Sequence, residues 1–210
     1  MADDHPDPNI QADLPWPLTG ADGLRAELWA AYADPSRGHH GTRHLVEVLT
    51  RLDELAAAGT AFDRTPVVLA AWFHDAVYDG ERDAEERSAT WAEQALPAVA
   101  DPATVAEVVR LVRLTEHHRP EPGDANGYAL SDADLSILAA DRERYDEYVA
   151  AVRTEYAHLP DDVFAMGRAD VLRALTDAPE LFCTPHGRAQ WEDAARANVA
   201  RELSELTASL

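Results

Sequence analysis

Ala70-Ala71-Trp72-Phe73-His74-Asp75-Ala76-Val77-Tyr78-Asp79 is the stretch on which the fold turns. It sets His74 and Asp75 side by side at the end of a strongly apolar segment. Upstream, Thr65 reads as a helix N-cap and Pro66 as the first helical position, so a helix is predicted over 66–77 with the His-Asp pair at its end. A polar pair at such a place carries a desolvation cost unless something satisfies it, and a bound cation would.

Helical periodicity continues on both sides of this stretch, and no alternating pattern of a strand stands out. Helices are predicted over 22–33, 42–58, 83–97 and 102–117, then 132–139, 141–157, 160–176 and 187–207. Leu45, Val48, Leu49, Leu52 and Leu55 form the apolar stripe of the second of these. Residues 1–20, with Pro6, Pro8, Pro15 and Pro17, read as an irregular N-terminal arm. The stretch 119–130, with two prolines and two glycines, reads as a loop. No repeat and no linker divides the rest, so the expected fold is all-α, a single helical bundle over 21–210. Tyr145, Tyr148, Tyr156 and Trp191 are assigned to its core.

The 210 residues include 46% hydrophobic ones, enough for one substantial core. No apolar run reaches the ~18 residues of a membrane span, and the acidic N-terminus lacks the features of a secretory signal, so the expected location is cytoplasmic. The one cysteine, Cys183, excludes an internal disulfide and a cysteine-based zinc site and reads as a small buried hydrophobe. The formal net charge is −21, and all 18 basic residues are arginine. Such a surface repels phosphate backbones and anionic lipid, so neither a nucleic-acid polymer nor a membrane is an expected partner. An anionic substrate would need a local reversal of the field, by metal ions and a few arginines.

The candidate ligands fall at breaks between helices. His40 and His44 stand four apart, His74-Asp75 follow 30 residues after His44, His117-His118 close one helix, and Asp132 and Asp134 open the next. Imidazole and carboxylate from separate helices can meet inside a bundle and suit a divalent ion such as Mn, Fe, Co, Ni, Zn or Mg. The alternatives are structural. His118 could be a cation at a helix C-terminus, His117 an exposed residue there, Asp132 an N-cap, and Glu85 and Glu86 acidic residues in a first helical turn. Arg153 with Glu155 could be a helix-packing pair, and His5, His158 and His186 read as surface residues.

The order His44 … His74-Asp75 … Asp134 resembles the H…HD…D signature of the HD superfamily of metal-dependent phosphohydrolases. The wider pattern is similar to a bacterial branch of roughly 200 residues, with segments R-x-Y-H-N-x-x-H, A-x-W-F-H-D-A-V-Y-D, N-E-x-x-S-A, T-x-x-H, D-A-D-L-S-I-L and R-x-E-Y. They correspond here to Arg37–His44, Ala71–Asp79, Ala84–Ala89, Thr115–His118, Ser131–Leu138 and Arg153–Tyr156, within a resemblance that covers about residues 22–206. Two departures are His39-His40-Gly41 for Tyr-His-Asn and Ala84 for Asn.

The resemblance implies that His44, His74, Asp75 and Asp134 hold the metal. A further similarity, to cyclic nucleotide phosphodiesterases, makes His40 the candidate acid that protonates the leaving oxygen. One to stringent-response nucleotide hydrolases makes Asp79 a candidate for positioning water. His118 is the other candidate acid, and Arg37, Arg153, Arg168 and then Arg119 are candidates for binding phosphate oxygens. The expected activity is hydrolysis of a phosphate ester or anhydride, of a small phosphorylated molecule such as a nucleotide, by metal-activated water. A di-iron oxygenase and a non-catalytic nucleotide sensor that keeps the metal site are the rival readings.

Overall fold

Helix α4, Arg64–Phe73, explains the architecture, because every residue from Pro66 to Phe73 is buried. A helix apolar on all sides cannot lie on a surface and becomes the centre of a bundle. In the computed structural model, which describes residues 10–208, it is one of eleven helices. The others are α1 (Ile10–Asp13), α2 (Asp22–Tyr32), α3 (Thr42–Ala57), α5 (Ala84–Ala95), α6 (Pro102–Leu114) and α7 (Ala125–Leu135). After α7 come α8 (Arg142–Glu155), α9 (Asp161–Thr176), α10 (Pro185–Gln190) and α11 (Glu192–Ala208). Short 3₁₀ turns occupy Leu96–Ala98 and Ser136–Ala139. The described residues contain no strand, so the fold is all-α, and none of their helices is long and apolar enough to cross a membrane.

Helices α3, α5, α6 and α7 all pack on α4, while α11 packs on α9 and on the second 3₁₀ turn. The Leu45–Leu55 stripe of α3 is wholly buried, as its spacing predicts. The described part of the N-terminal arm is fastened to this core. Trp16 meets Trp72 edge to face at 5.4 Å, and the Trp72 indole N–H donates to the Pro15 carbonyl at 2.8 Å. Within that arm, 10–13 is helical rather than irregular. His5 lies outside the described residues.

Helix α4 begins at Arg64, after Asp63 and not Thr65, and α6 ends at Leu114, short of the predicted 117; three further boundaries differ from the sequence prediction for a local reason. Helix α4 stops at Phe73, and His74 is its C-cap, with its N–H on the Ala70 carbonyl at 2.8 Å. Arg37 forces that end by donating to the Asp75 carbonyl at 2.7 Å and the Ala76 carbonyl at 3.0 Å. Helix α7 begins at Ala125, inside the predicted loop, because the Asp124 carboxylate caps the Gly127 N–H. Gly127 is required in that first turn, since a Cβ there would sit 2.3 Å from Asp124 Oδ2 and 2.8 Å from Leu114. The last predicted helix is two, α10 and α11, because Thr184 caps the Gly187 N–H and the chain breaks at Trp191. Tyr145, Tyr148 and Trp191 are buried, but Tyr156 is 38% exposed and leaves the predicted core. Cys183 is only half-buried, and burial pushes its thiol up to about 11.

Candidate metal centre

Three helix ends bring the ligand atoms together. His44 comes from the first turn of α3, His74 and Asp75 from the end of α4, and Asp134 from the last turn of α7. The Nε2 atoms of His44 and His74 stand 3.1 Å apart. Asp75 Oδ2 lies 3.1 Å from His74 Nε2 and 3.4 Å from His44 Nε2. Asp134 Oδ1 lies 3.0 Å from His44 Nε2 and 3.6 Å from His74 Nε2. His44, His74 and Asp75 form a buried cluster able to hold a metal ion, and Asp134 lies beside it against His44.

The surroundings orient these donors. His74 Nδ1 lies 2.7 Å from the Ala71 carbonyl, which makes Nδ1 the donor and leaves the Nε2 lone pair to the cluster. The Tyr32 hydroxyl accepts the Asp75 N–H at 3.1 Å, and burial raises its pKa. Burial opposes charge on His44, but hydrogen bonds to Asp134 and Asp75 outweigh it and raise the imidazole to about 9. On the two carboxylates burial is likewise outweighed, in Asp75 chiefly by the charges of His74 and His40, in Asp134 by His74 and the His44 hydrogen bond, and both are held well below the usual carboxylate range. Two imidazoles and two carboxylates facing inward in a dry pocket share protons when no cation is present. A cation would replace those protons.

His118 joins the group from the end of α6, with Nε2 3.5 Å from Asp134 Oδ2. Its backbone adopts φ +48°, a left-handed conformation that costs free energy in a non-glycine residue. Its buried Nδ1 has no partner, and burial lowers its pKa. The strain turns the ring inward, so the helix-end cation reading does not describe it. His117 is exposed beside Glu116, as expected.

His40 stands at the mouth, four residues before His44, and a residue not singled out as its partner holds it. Glu155 Oε2 lies 2.8 Å from His40 Nδ1, and its Oε1 accepts the N–H groups of Gly38 at 2.9 Å and His40 at 3.0 Å. Tyr78 stacks on the His40 ring at 4.0 Å, and its hydroxyl reaches Glu155 at 3.4 Å. Gly38 permits the approach, since a Cβ would meet the Ala151 carbonyl oxygen at 2.3 Å. His39 is buried against His40, His44 and Tyr148 with Nδ1 unpartnered, and burial keeps its pKa well below the usual value.

Several predicted site residues have other duties. Arg37 donates to three backbone carbonyls, those of His40, Asp75 and Ala76, so it is a clamp on the cluster's frame and not a phosphate ligand. Arg153 donates to the Tyr156 and Leu159 carbonyls and to Asp161, which closes the turn between α8 and α9 and leaves no pair with Glu155. Arg168 borders the cavity, yet its guanidinium is held by Glu202 at 2.8 Å and the Tyr148 hydroxyl at 2.7 Å. Asp79 is half-exposed and bound by both oxygens to Arg87, away from the cavity wall, so it positions no water there.

Asp132 lies mid-helix and is not an N-cap. It accepts the Cys183 and Thr184 N–H groups at 2.7 Å each and so pins the segment before α10. Glu86 pairs with Arg113, while Glu85 reaches the cavity. His158 is exposed, but His186 is partly buried against Glu54 and Trp191. Arg119 lines the cavity, is exposed and makes no ion pair among the described residues.

One cavity of about 750 Å³ contains the exposed face of this group, including His40, Asp75, His118 and Asp134. The chain matches no protein-family model, no curated protein and no solved structure.

Proposed function

We propose that the protein is a metal-dependent phosphohydrolase that cleaves the phosphate ester of a small molecule, as the resemblance to the HD superfamily implies. The observation that carries the reading is the buried cluster of His44, His74 and Asp75, with Asp134 3.0 Å from His44 and 3.6 Å from His74, beneath a cavity that Asp75, Asp134 and His40 line. A divalent ion held by these four would polarise a phosphoryl oxygen and acidify a water.

The chain's own groups supply the rest. Glu155 fixes His40 with Nδ1 as the donor to its carboxylate, which leaves Nε2 to the cavity as the proton carrier for a leaving alkoxide. Tyr78 prevents the ring from turning. Arg119 offers a guanidinium to phosphate oxygens at the rim. His118 stands where it can hold a proton or a fifth ligand position beside Asp134.

The test is metal content and phosphate release measured on wild type, His74→Ala and Asp75→Ala after loading with Mn²⁺. Wild type should bind the ion and release phosphate, and both variants should lose both. Variants that kept metal and full activity would overturn the reading. His118 also suits the oxygenase rival, because two irons need more ligands than one ion. The visible spectrum and iron content of freshly purified protein separate the two.

A further inference from the structure

The cavity has two unlike ends. One carries the histidines and carboxylates described above. The other is built by α9, the end of α8 and the second 3₁₀ turn, and its surface is hydrocarbon: Ile137, Val152, Leu159, Val163, Phe164 and Val171. Five large hydrophobic residues of the described chain are more than a third exposed, and Tyr156, Val163 and Val171, which border this cavity, are three of them at 38%, 43% and 52%. Exposed apolar surface concentrated at the mouth of a site marks a ligand position rather than scattered surface residues.

The charged group at this end is already engaged. The Tyr148 hydroxyl accepts from Arg168, and Arg168 is paired with Glu202, which in turn accepts from the Tyr145 hydroxyl at 2.5 Å. What remains on this wall is the hydroxyl of Tyr156 and the O–H of Tyr148, phenols at the tips of large rings, and no amide or carboxylate to read the edge of a base. A chain of phosphates fares no better, because Glu85 and Glu116 add negative charge to the rim where Arg119 is the available cation. The volume, about 750 Å³, suits a drug-sized ligand and would be mostly empty around a bare phosphate.

We infer that the substrate is a phosphate monoester of an apolar alcohol, with its phosphate at the His44–Asp134 cluster and its hydrocarbon group against Val163, Phe164 and Val171. This rests on the phosphohydrolase reading and narrows it, away from the nucleotide that the resemblance implies. The ester oxygen–phosphorus bond breaks, water supplies the oxygen to phosphorus, and the alcohol leaves with a proton from His40. Each methylene buried on the apolar wall is worth roughly fourfold in affinity.

The full chain loaded with Mn²⁺ is assayed for phosphate release from hexyl phosphate, glycerol phosphate and adenosine 5′-monophosphate. Binding of all three is measured in parallel by calorimetry. Hexyl phosphate should lead in kcat/KM by more than about tenfold. Val163→Asn and Val171→Asn, neutral changes at exposed positions that leave the fold intact, should raise KM for hexyl phosphate about tenfold or more, with a much smaller rise for glycerol phosphate. Equal or better turnover of glycerol phosphate or the nucleotide would overturn the inference and leave the phosphohydrolase reading standing. If no ester is hydrolysed, that reading falls, and calorimetry still decides the apolar site. Hexyl phosphate binding no tighter than glycerol phosphate, or indifferent to the two asparagines, would overturn it.

Discussion

The two walls of the cavity are built by opposite rules. The floor, from α3, α4 and α7, places polar atoms where water cannot reach: His44 and His74 are 2% and 1% exposed, and the residues behind them on α4 are fully buried. The far wall, from α8 and α9, places apolar atoms where water can reach them, at Tyr156, Val163 and Val171. Both arrangements are locally unfavourable, the first because buried polar groups must be satisfied and the second because exposed hydrocarbon is not. A fold tolerates such sites where a ligand completes them. On the proposed reading a cation completes the floor and a hydrocarbon the wall, and the difference between them would then separate the group that reacts from the group that is selected.

The largest break in that comparison comes from removing the cation's ligands. His74→Ala and Asp75→Asn should reduce bound divalent metal to background by elemental analysis. They should also abolish the rise in melting temperature that metal gives the wild type. That rise corresponds to about 2.7 kcal/mol at a metal concentration 100 times Kd. Trp72→Ala, behind the floor, acts on the fold instead of on the metal. Trp72 is fully buried, meets Trp16 and Trp29, and donates to the Pro15 carbonyl. Its loss should destabilise the protein by about 3–5 kcal/mol in denaturant unfolding, because a buried aromatic leaves a cavity the core cannot close.

The floor was legible in the sequence and the wall was not. His44, His74, Asp75 and Asp134 are separated by 30 residues or more, apart from one adjacent pair, but their positions at helix ends and in the H…HD…D order marked them as one set. The helices were legible because α3 and α4 have strong apolar patterns. The start of α7 was hidden because its glycine is there for close packing, not to end a helix. Glu155 was misassigned because Arg153, two residues away, offered a local partner, whereas His40 is 115 residues away and is reached only through the packing of α8. The arginines misled for the same reason: a guanidinium that clamps carbonyls has the same letter in the sequence as one that binds phosphate. Nothing in the spacing of Val163 and Val171 distinguishes a cavity wall from ordinary helix surface.

Glu155 joins the two walls, so changing it sharpens the comparison at intermediate size. Glu155→Gln should lower kcat about tenfold to a hundredfold with metal content unchanged, since it acts on His40 and not on the cluster. Burial raises the Glu155 carboxyl, but hydrogen bonding and charge from His40, with the N–H groups of His40 and Gly38, outweigh it and hold it below the usual range. A carboxyl whose folded pKa lies below its unfolded one adds stability above about pH 4.3, and that stability is lost as pH falls through the folded value. Wild type should therefore be more stable than Glu155→Gln at pH 7, and the gap should close in unfolding measurements below about pH 4.

The smallest effect on stability belongs to the wall itself. Val171 is 52% exposed on α9, and its truncation to Ala removes little buried surface. Unfolding free energy should change by no more than about 0.5 kcal/mol, against several for Trp72→Ala. If Val171→Ala instead cost more than about 1 kcal/mol, the wall would belong to the core and its exposure would need no ligand to explain it. A stable Val171→Ala protein that retained metal but bound hexyl phosphate more weakly would show that this side chain contributes to selection and not to the fold. The ratio of the two losses, stability against apolar-ester affinity, is then the quantity that distinguishes wall from floor, because at Trp72 the same ratio should run the other way.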